Sequence, residues 1–417
     1  MWILIDFRAF CVLAVCTVVQ PVCDIALLAD EPVQRAIAAP AVEWDAQKTV
    51  LFSELTDGFT VYRIPGLVVT ARGSVLAYCE ARKYSTADRG EIEIHLRRSV
   101  DGGVTFDAAR QVAHRGVRLA RNPHVPPGKA ERDLGGPDEQ TVNNPLAIAT
   151  AEGPIQLLYC VEYQRVFQIE SRDDGVTWSS PREITPVFAA FRDVLDWQVV
   201  ATGPGHAVQS ANGRLCVAFW MATYAAGAAI SNAVGTIYSD DGGATWHRGD
   251  VAIRNAVEPN IAALPPDPDG SGRGFLLTAR NSRPESRRLV SRSADGAVGW
   301  SEPVFADELP EPGCMAGLVL APGRTADSPA RLLFSGVYTT DRRHSARRDL
   351  TLHISLDGGR TWPSAKLVQR GPSAYSDLAV LPDGTVLCFY ESGTDQPVKQ
   401  RRRDWAYANL TLARGQL

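Results

Sequence analysis

One octet returns along the chain and limits its possible folds more than any other feature. Ser99–Phe106 reads SVDGGVTF, Ser171–Trp178 reads SRDDGVTW, Ser239–Trp246 reads SDDGGATW and Ser355–Trp362 reads SLDGGRTW. Ser293–Trp300, SADGAVGW, is a degraded copy without the threonine. The starts lie 72, 68, 54 and 62 residues apart, a mean of 64. Asp-Gly supplies a tight turn in which glycine takes a positive φ without a Cβ clash. The Asp and Ser/Thr oxygens accept bonds from the turn's N–H groups, and the aromatic residue is expected to pack under the turn. Each copy therefore marks one β-hairpin. A period near 64 residues fits four strands of about six residues with their loops, the content of one propeller blade. The 388 residues from 30 to 417 hold about six such periods. The expected fold is all-β, a six-bladed β-propeller with one blade lacking the octet. A pair of β-sandwich domains would leave the repeat unexplained.

The chain between the copies agrees. Gly66–Ala77, Ile155–Tyr163, Leu215–Trp220, Leu332–Val337 and Thr385–Tyr390 are short β-prone runs bounded by Gly, Pro, Asn or Asp. No long amphipathic helical stretch occurs; 186–194 has room for one helical turn. The chain is 417 residues long, 45% hydrophobic and 22% charged, enough to bury a large core without a disulfide or metal staple. Its formal net charge of −4 argues for neither nucleic acid nor a membrane surface as partner. Affinity for a charged ligand must be local.

Residues 1–29 read as a secretory signal peptide. Ala9–Val19 is an unbroken apolar and small-residue run after Arg8, too short to span a bilayer, and the composition breaks at Asp30-Glu31-Pro32. The expectation is a secreted or periplasmic protein with residues 30–417 as a single propeller domain and no stable membrane insertion of the mature chain. Beyond that segment, Cys79, Cys160, Cys216, Cys314 and Cys388 are odd in number and not closely spaced. They suggest buried thiols rather than a disulfide framework or a zinc site.

Function must come from residues that break the repeat. Arg63, Arg280 and Arg347 each adjoin apolar strand residues, in VYRIP, LLTARN and RRDL. A guanidinium beside buried strand residues needs a partner, and three from different blades could converge at the axis on a carboxylate, which their planar forks bind in bidentate fashion. Arg283, Arg287, Arg288, Arg342 and Arg343 read instead as solvated charges.

Over roughly residues 50–410 the sequence resembles the exo-α-sialidases (neuraminidases), six-bladed propeller glycosidases with Asp-box repeats. YRIPGL at Tyr62–Leu67 resembles the family's R-I-P motif and implies that Arg63 is the first arginine of its triad. LTARNS implies Arg280 as the second, and RRDLTLHISLDGG implies Arg347 as the third, with Arg348 the alternative. GPSAYSDLAVLPDG at Gly371–Gly384 resembles the segment of the tyrosine nucleophile, Tyr375. FYES supplies Glu391 to orient Arg63. EARKYSTADRGEIEIHLRRS places the acid/base aspartate on Asp88 and a substrate-pocket arginine on Arg82. Glu258, in AVEPNIAALPPDPDG, matches the glutamate that serves the tyrosine.

The chemistry implied is coherent. A neutral tyrosine approaches a carbon bearing a carboxylate without like-charge repulsion, and sialidases are the tyrosine exception among glycosidases. Glu258 would take the phenol proton, the arginines would hold the carboxylate and lower the effective tyrosine pKa, and Asp88 would protonate the leaving group and then deprotonate water. Retention through a covalent tyrosyl-sialoside would follow. Sialylated glycans or glycoconjugates are the implied partners. No cofactor or metal is implied, and the boxes lack the alternating ligands of a calcium loop. Two alternatives stand: a non-catalytic propeller that binds acidic glycans, and a hydrolase of a related 2-keto sugar acid. A binding module needs the arginines but not the tyrosine with its base.

Overall fold

A computed structural model describes residues 40, 42–113, 118–120, 122–124, 140–223, 230–264, 274–323, 328–393 and 405–417. The expected signal peptide lies outside the described residues. Alternating and all-apolar runs form antiparallel strands, as their bounding turns predict, and the chain is an all-β, propeller-like fold. The region 186–194 holds a five-residue helix, Thr185–Ala189, and a 3-10 turn, Ala190–Asp193.

Four sheets follow in chain order. The first runs Val61–Val69, Val75–Arg82, Ile92–Ser99, Arg110–Gln111. The second begins with Val142–Ala149, the third with Val199–Thr202 and the fourth with Ala256–Ala263. The remaining strands join a seven-stranded sheet through one long strand, Ser364–Val380. Its first half pairs with Arg348–Ser355, from Ser364↔Ile354 to Pro372↔Arg348. Its second half pairs with Val386–Ser392, from Ser373↔Ser392 to Val380↔Val386. The outermost strand beyond Asn409–Gly415 is Gln47–Ser53, so distant parts of the chain zip together there.

Apolar faces between neighbouring sheets form the core. Tyr78 and Ile94 of the first sheet pack with Leu157 and Tyr159 of the second. Phe389 and Leu412 of the seven-stranded sheet pack back on Tyr62 and Val75 of the first, which closes a ring. Cys79, Cys160, Cys216, Cys314 and Cys388 are free and buried.

The octets sit where their chemistry predicts. Ser99, Ser171, Ser239, Ser293 and Ser355 each end the third strand of a four-strand run. In the third sheet Ser239 Oγ accepts the Gly243 N–H at 2.8 Å, and Asp241 accepts the Thr245 N–H and hydroxyl at 2.8 and 2.6 Å. The degraded copy keeps the turn: Asp295 accepts from the N–H groups of Ala297 and Val298, both at 2.9 Å. The aromatic position also packs toward the preceding sheet: Phe106 joins the core of the last and first sheets, Trp246 that of the second and third, and Trp362 that of the fourth and the next. The Trp362 ring lies close to its own turn as well, where a β-carbon on Gly359 would stand 3.3 Å from it. The run Val386–Ser392, Asn409–Gly415 has no octet because its outer strand, Gln47–Ser53, is not joined to Asn409–Gly415 by a hairpin.

Candidate active site

Three first strands share an irregularity absent from the octet pattern. Ile64, Asn144 and Glu258 have φ of 61°, 50° and 48°, each precedes a proline, and each lies at a bulge in its strand pairing. Proline has no N–H to lose where the ladder is already broken, and a bulge re-aims the side chains around it. All three residues line one pit of about 220 Å³, with Arg63, Asp88, Arg89, Tyr163, Val199, Trp220, Arg280, His344, Arg347 and Tyr375. Pro259 in the Glu258 segment is thus part of the device that presents Glu258.

Tyr375 stands at the centre. Its hydroxyl donates to Glu258 Oε1 at 2.5 Å and accepts from Arg280 Nη1 at 3.1 Å. The same Arg280 nitrogen donates to Glu258 Oε2 at 2.9 Å, so phenol, carboxylate and guanidinium form a closed triangle. The guanidinium carbons of Arg63 and Arg347 lie 5.2 and 5.4 Å from the Tyr375 ring centroid. Burial pushes the phenol pKa well up, with Glu258 adding to it, and the arginines pull it down only in part. The arginines lower the tyrosine pKa as expected, but burial and Glu258 outweigh them, so Tyr375 is held as a protonated phenol with its acceptor in place.

Glu391 is fully buried and fixes one edge. It takes Arg63 Nε and Nη2 at 2.9 and 3.1 Å and the N–H groups of Ile64 and Tyr375, both at 3.1 Å. One carboxylate thus ties Arg63, 328 residues away from it along the chain, to the backbone of Tyr375. Arg347 is 2% exposed and reaches Tyr407 Oη at 3.2 Å and the Gly313 carbonyl. Arg348 points outward, paired with Asp349 at 3.2 Å. Of the two, Arg347 lines the pit and Arg348 does not, because successive residues of an extended chain face opposite sides.

Asp88 occupies the rim, its side chain 68% exposed. It accepts Arg82 Nη1 at 2.8 Å and lies 3.8 Å from Arg63 Nη1. Its enclosure by the pit works to raise its pKa, but Arg82 and Arg63 outweigh this and hold it at about 2. Arg82, expected in the substrate pocket, lies buried directly behind Asp88 and is not itself in the lining of the pit. Glu80 Oε2 grips its Nε and Nη2 at 3.0 and 2.7 Å, and Glu80 Oε1 accepts the Asn144 N–H at 2.8 Å. Arg288 is corrected as well: it is fully buried rather than solvated, and it donates to the carbonyls of Cys314 and Glu258.

Sequence reasoning missed Asn144, Tyr163, Val199, Trp220 and His344. The signal for Asn144 was present, since Ile-Pro, Asn-Pro and Glu-Pro recur at the start of three sheets. The others carry no mark in the sequence. The Arg347 charge and burial, with Arg280 and Arg63, bring the His344 pKa down to about 4. Among the described residues no group of three or more His, Cys, Asp or Glu side chains is arranged to hold a metal ion.

A family model described as the BNR repeat-like domain matches residues 129–388, more than half of the chain. The chain belongs to the sialidase family with BNR repeats. This sialidase-family chain is 29% identical to a sialidase of Bacteroides fragilis over 357 residues, covering 81% of itself and 61% of that protein. It is 31% identical to a sialidase of Micromonospora viridifaciens over 373 residues, covering 86% of itself and 52% of that protein. Among solved structures, Hadza microbial sialidase Hz136 is similar with a TM-score of 0.68 and 28% identity, over 87% of this chain and 66% of that one. The chain thus spans between half and two thirds of the length of these relatives.

Proposed function

We propose that this protein is an exo-α-sialidase that hydrolyses terminal sialic acids with retention, through a covalent bond to Tyr375. The observation that carries the reading is the 2.5 Å hydrogen bond from Tyr375 Oη to Glu258, inside a pit lined by Arg63, Arg280 and Arg347 among others. Binding a carboxylate requires the arginines alone; a buried phenol paired with a general base is the arrangement of a nucleophile. The relatives named sialidase point the same way.

In the first step Tyr375 Oη attacks the anomeric carbon as its proton passes to Glu258. The bond to the leaving oxygen breaks, and that oxygen takes a proton from Asp88. In the second step water attacks the same carbon, its proton passes to Asp88, and Tyr375 leaves with the proton held by Glu258. The neighbouring guanidiniums favour Asp88 as the carboxylate, the form the second step uses. The first step needs its protonated form. A substrate carboxylate on Arg63 would neutralise one of the guanidiniums that hold its pKa down. A pit of about 220 Å³ suits one terminal sugar, which supports exo action.

We further read the seven-stranded sheet as two blades that share Ser364–Val380, which gives six blades within residues 30–417. Export by cleavage near residue 29 completes the proposal. Hydrolysis of a fluorogenic sialoside by the purified chain tests the function. Release of the fluorophore is expected, and sialic acid binding without release would favour the non-catalytic propeller.

A further inference from the structure

Next to the end of the Arg280 strand, outside the lining of the pit, lies a carboxylate that the proposed chemistry does not use. Glu311 is 2% exposed and sits in the turn between Val304–Pro310 and Gly317–Ala321. Three backbone N–H groups converge on it: Gly313 at 2.5 Å and Cys314 at 2.7 Å on Oε1, and Asn281 at 2.6 Å on Oε2. Each bond leads to the site. Asn281 follows Arg280 directly at the end of its strand. The bonds from Gly313 and Cys314 curl the turn so that the Gly313 carbonyl receives Arg347 Nη2. Gly313, at φ +84°, also lies against Arg280: a β-carbon there would stand 3.6 Å from Arg280 Nη2. The Cys314 carbonyl receives Arg288 Nη1 at 3.1 Å, and Arg288 Nη2 reaches the Glu258 carbonyl at 3.4 Å.

Resting on the sialidase reading, we propose that Glu311 is a positioning residue of the carboxylate clamp, fixing Arg280 and Arg347 at the spacing that grips one substrate carboxylate. An ionised carboxylate suits this place because it accepts at both oxygens and donates at neither. A glutamine would turn an N–H₂ toward one of the converging N–H groups. Clamp geometry matters more than clamp charge here, because bidentate recognition fails when two guanidiniums move apart by a fraction of an ångström.

The test compares Glu311→Gln with wild type, using the 2,3-unsaturated sialic acid glycal and its methyl ester as probes in calorimetry. Wild type should prefer the free acid by about 100-fold, and Glu311→Gln should reduce that preference to under about 10-fold. For a sialoside, KM should rise by about 10-fold or more while kcat stays within about 3-fold. Should Glu311→Gln fail to fold, Glu311→Asp, which keeps the charge but withdraws the oxygens, carries the same test. An unchanged preference for the acid, or equal losses of affinity for acid and ester as general loosening would give, overturns the proposal. If wild type itself shows no preference for the acid, the sialidase reading fails, and the proposal fails with it.

Discussion

Asp241 in an octet and Asp88 at the pit rim both have pKa values of about 2, for different reasons. Asp241 is held down first by the Thr245 hydroxyl and then by the Thr245 N–H, four residues on. Asp88 is held down, against the effect of its enclosure, by the Arg82 and Arg63 guanidiniums. One carboxylate is set by its own octet and would look the same in any blade. The other depends on charges that the fold delivers. The contrast extends to the whole molecule: octet bonds span two to five residues, whereas Tyr375 reaches Glu258 across 117 and Glu391 grips Arg63 across 328. A local device can be repeated and can decay in one copy without loss; the pit has no second copy.

Breaking the pit should therefore have the larger consequence. Tyr375→Phe removes one oxygen and keeps the ring, so folding should survive. Retaining turnover should fall by about 10³-fold or more, while glycal binding through the arginines persists. The kinetics, with NMR of the first-formed anomer, check this; retention at near wild-type rate would falsify the nucleophile assignment. Next in size, Arg347→Ala should reduce kcat/KM by the equivalent of about 2–5 kcal/mol, the usual result of losing one arm of a desolvated clamp. Arg348→Ala, at an exposed pair, should change it by less than about 1 kcal/mol. Equal effects would remove Arg347 from the clamp.

Asp88→Ala should depend on the leaving group. An aryl sialoside, whose phenol departs unaided, should keep much of its rate, while a sialyl-galactose should lose about 10²-fold or more. The same slowing of both substrates would deny Asp88 its role as acid. An octet mutation sharpens the comparison from the other side: Asp241→Ala should lower Tm by about 1–3 °C and leave kcat/KM unaltered. The sign of its pH dependence follows from a folded pKa below the unfolded value of about 3.9. Its stabilising contribution is complete above that value and disappears as pH falls toward 2, so wild type and Asp241→Ala should converge in stability in acid. The smallest effect concerns salt. About 1 M salt should raise the Asp88 pKa toward the ordinary range by screening its guanidiniums, and should leave the hydrogen-bonded Asp241 nearly unmoved. Carboxyl NMR titration separates the two.

The blade-like hairpins follow from the sequence alone, because an octet's turn needs only its own atoms. Arg63, Arg280, Arg347, Tyr375 and Glu391 are marked there too, since a charge amid apolar strand residues or a family-like motif is visible in one dimension. The dipeptides Ile64-Pro65, Asn144-Pro145 and Glu258-Pro259 are as visible, but their positive φ and the bulges they occupy are not. Which groups meet is settled only when the sheets close. Arg288 looks like any other arginine in the chain, yet it lies beneath Glu258, and the motif that marks Arg82 does not show that it is locked behind Asp88. Tyr163, Val199 and Trp220 are ordinary strand or loop residues until the sheets bring them around one pit. The tyrosine pKa is the clearest case: three nearby arginines suggest a lowered value, but burial and Glu258 raise it. Desolvation depends on how much protein surrounds a group from every side, and that quantity exists only once the ring of sheets has closed.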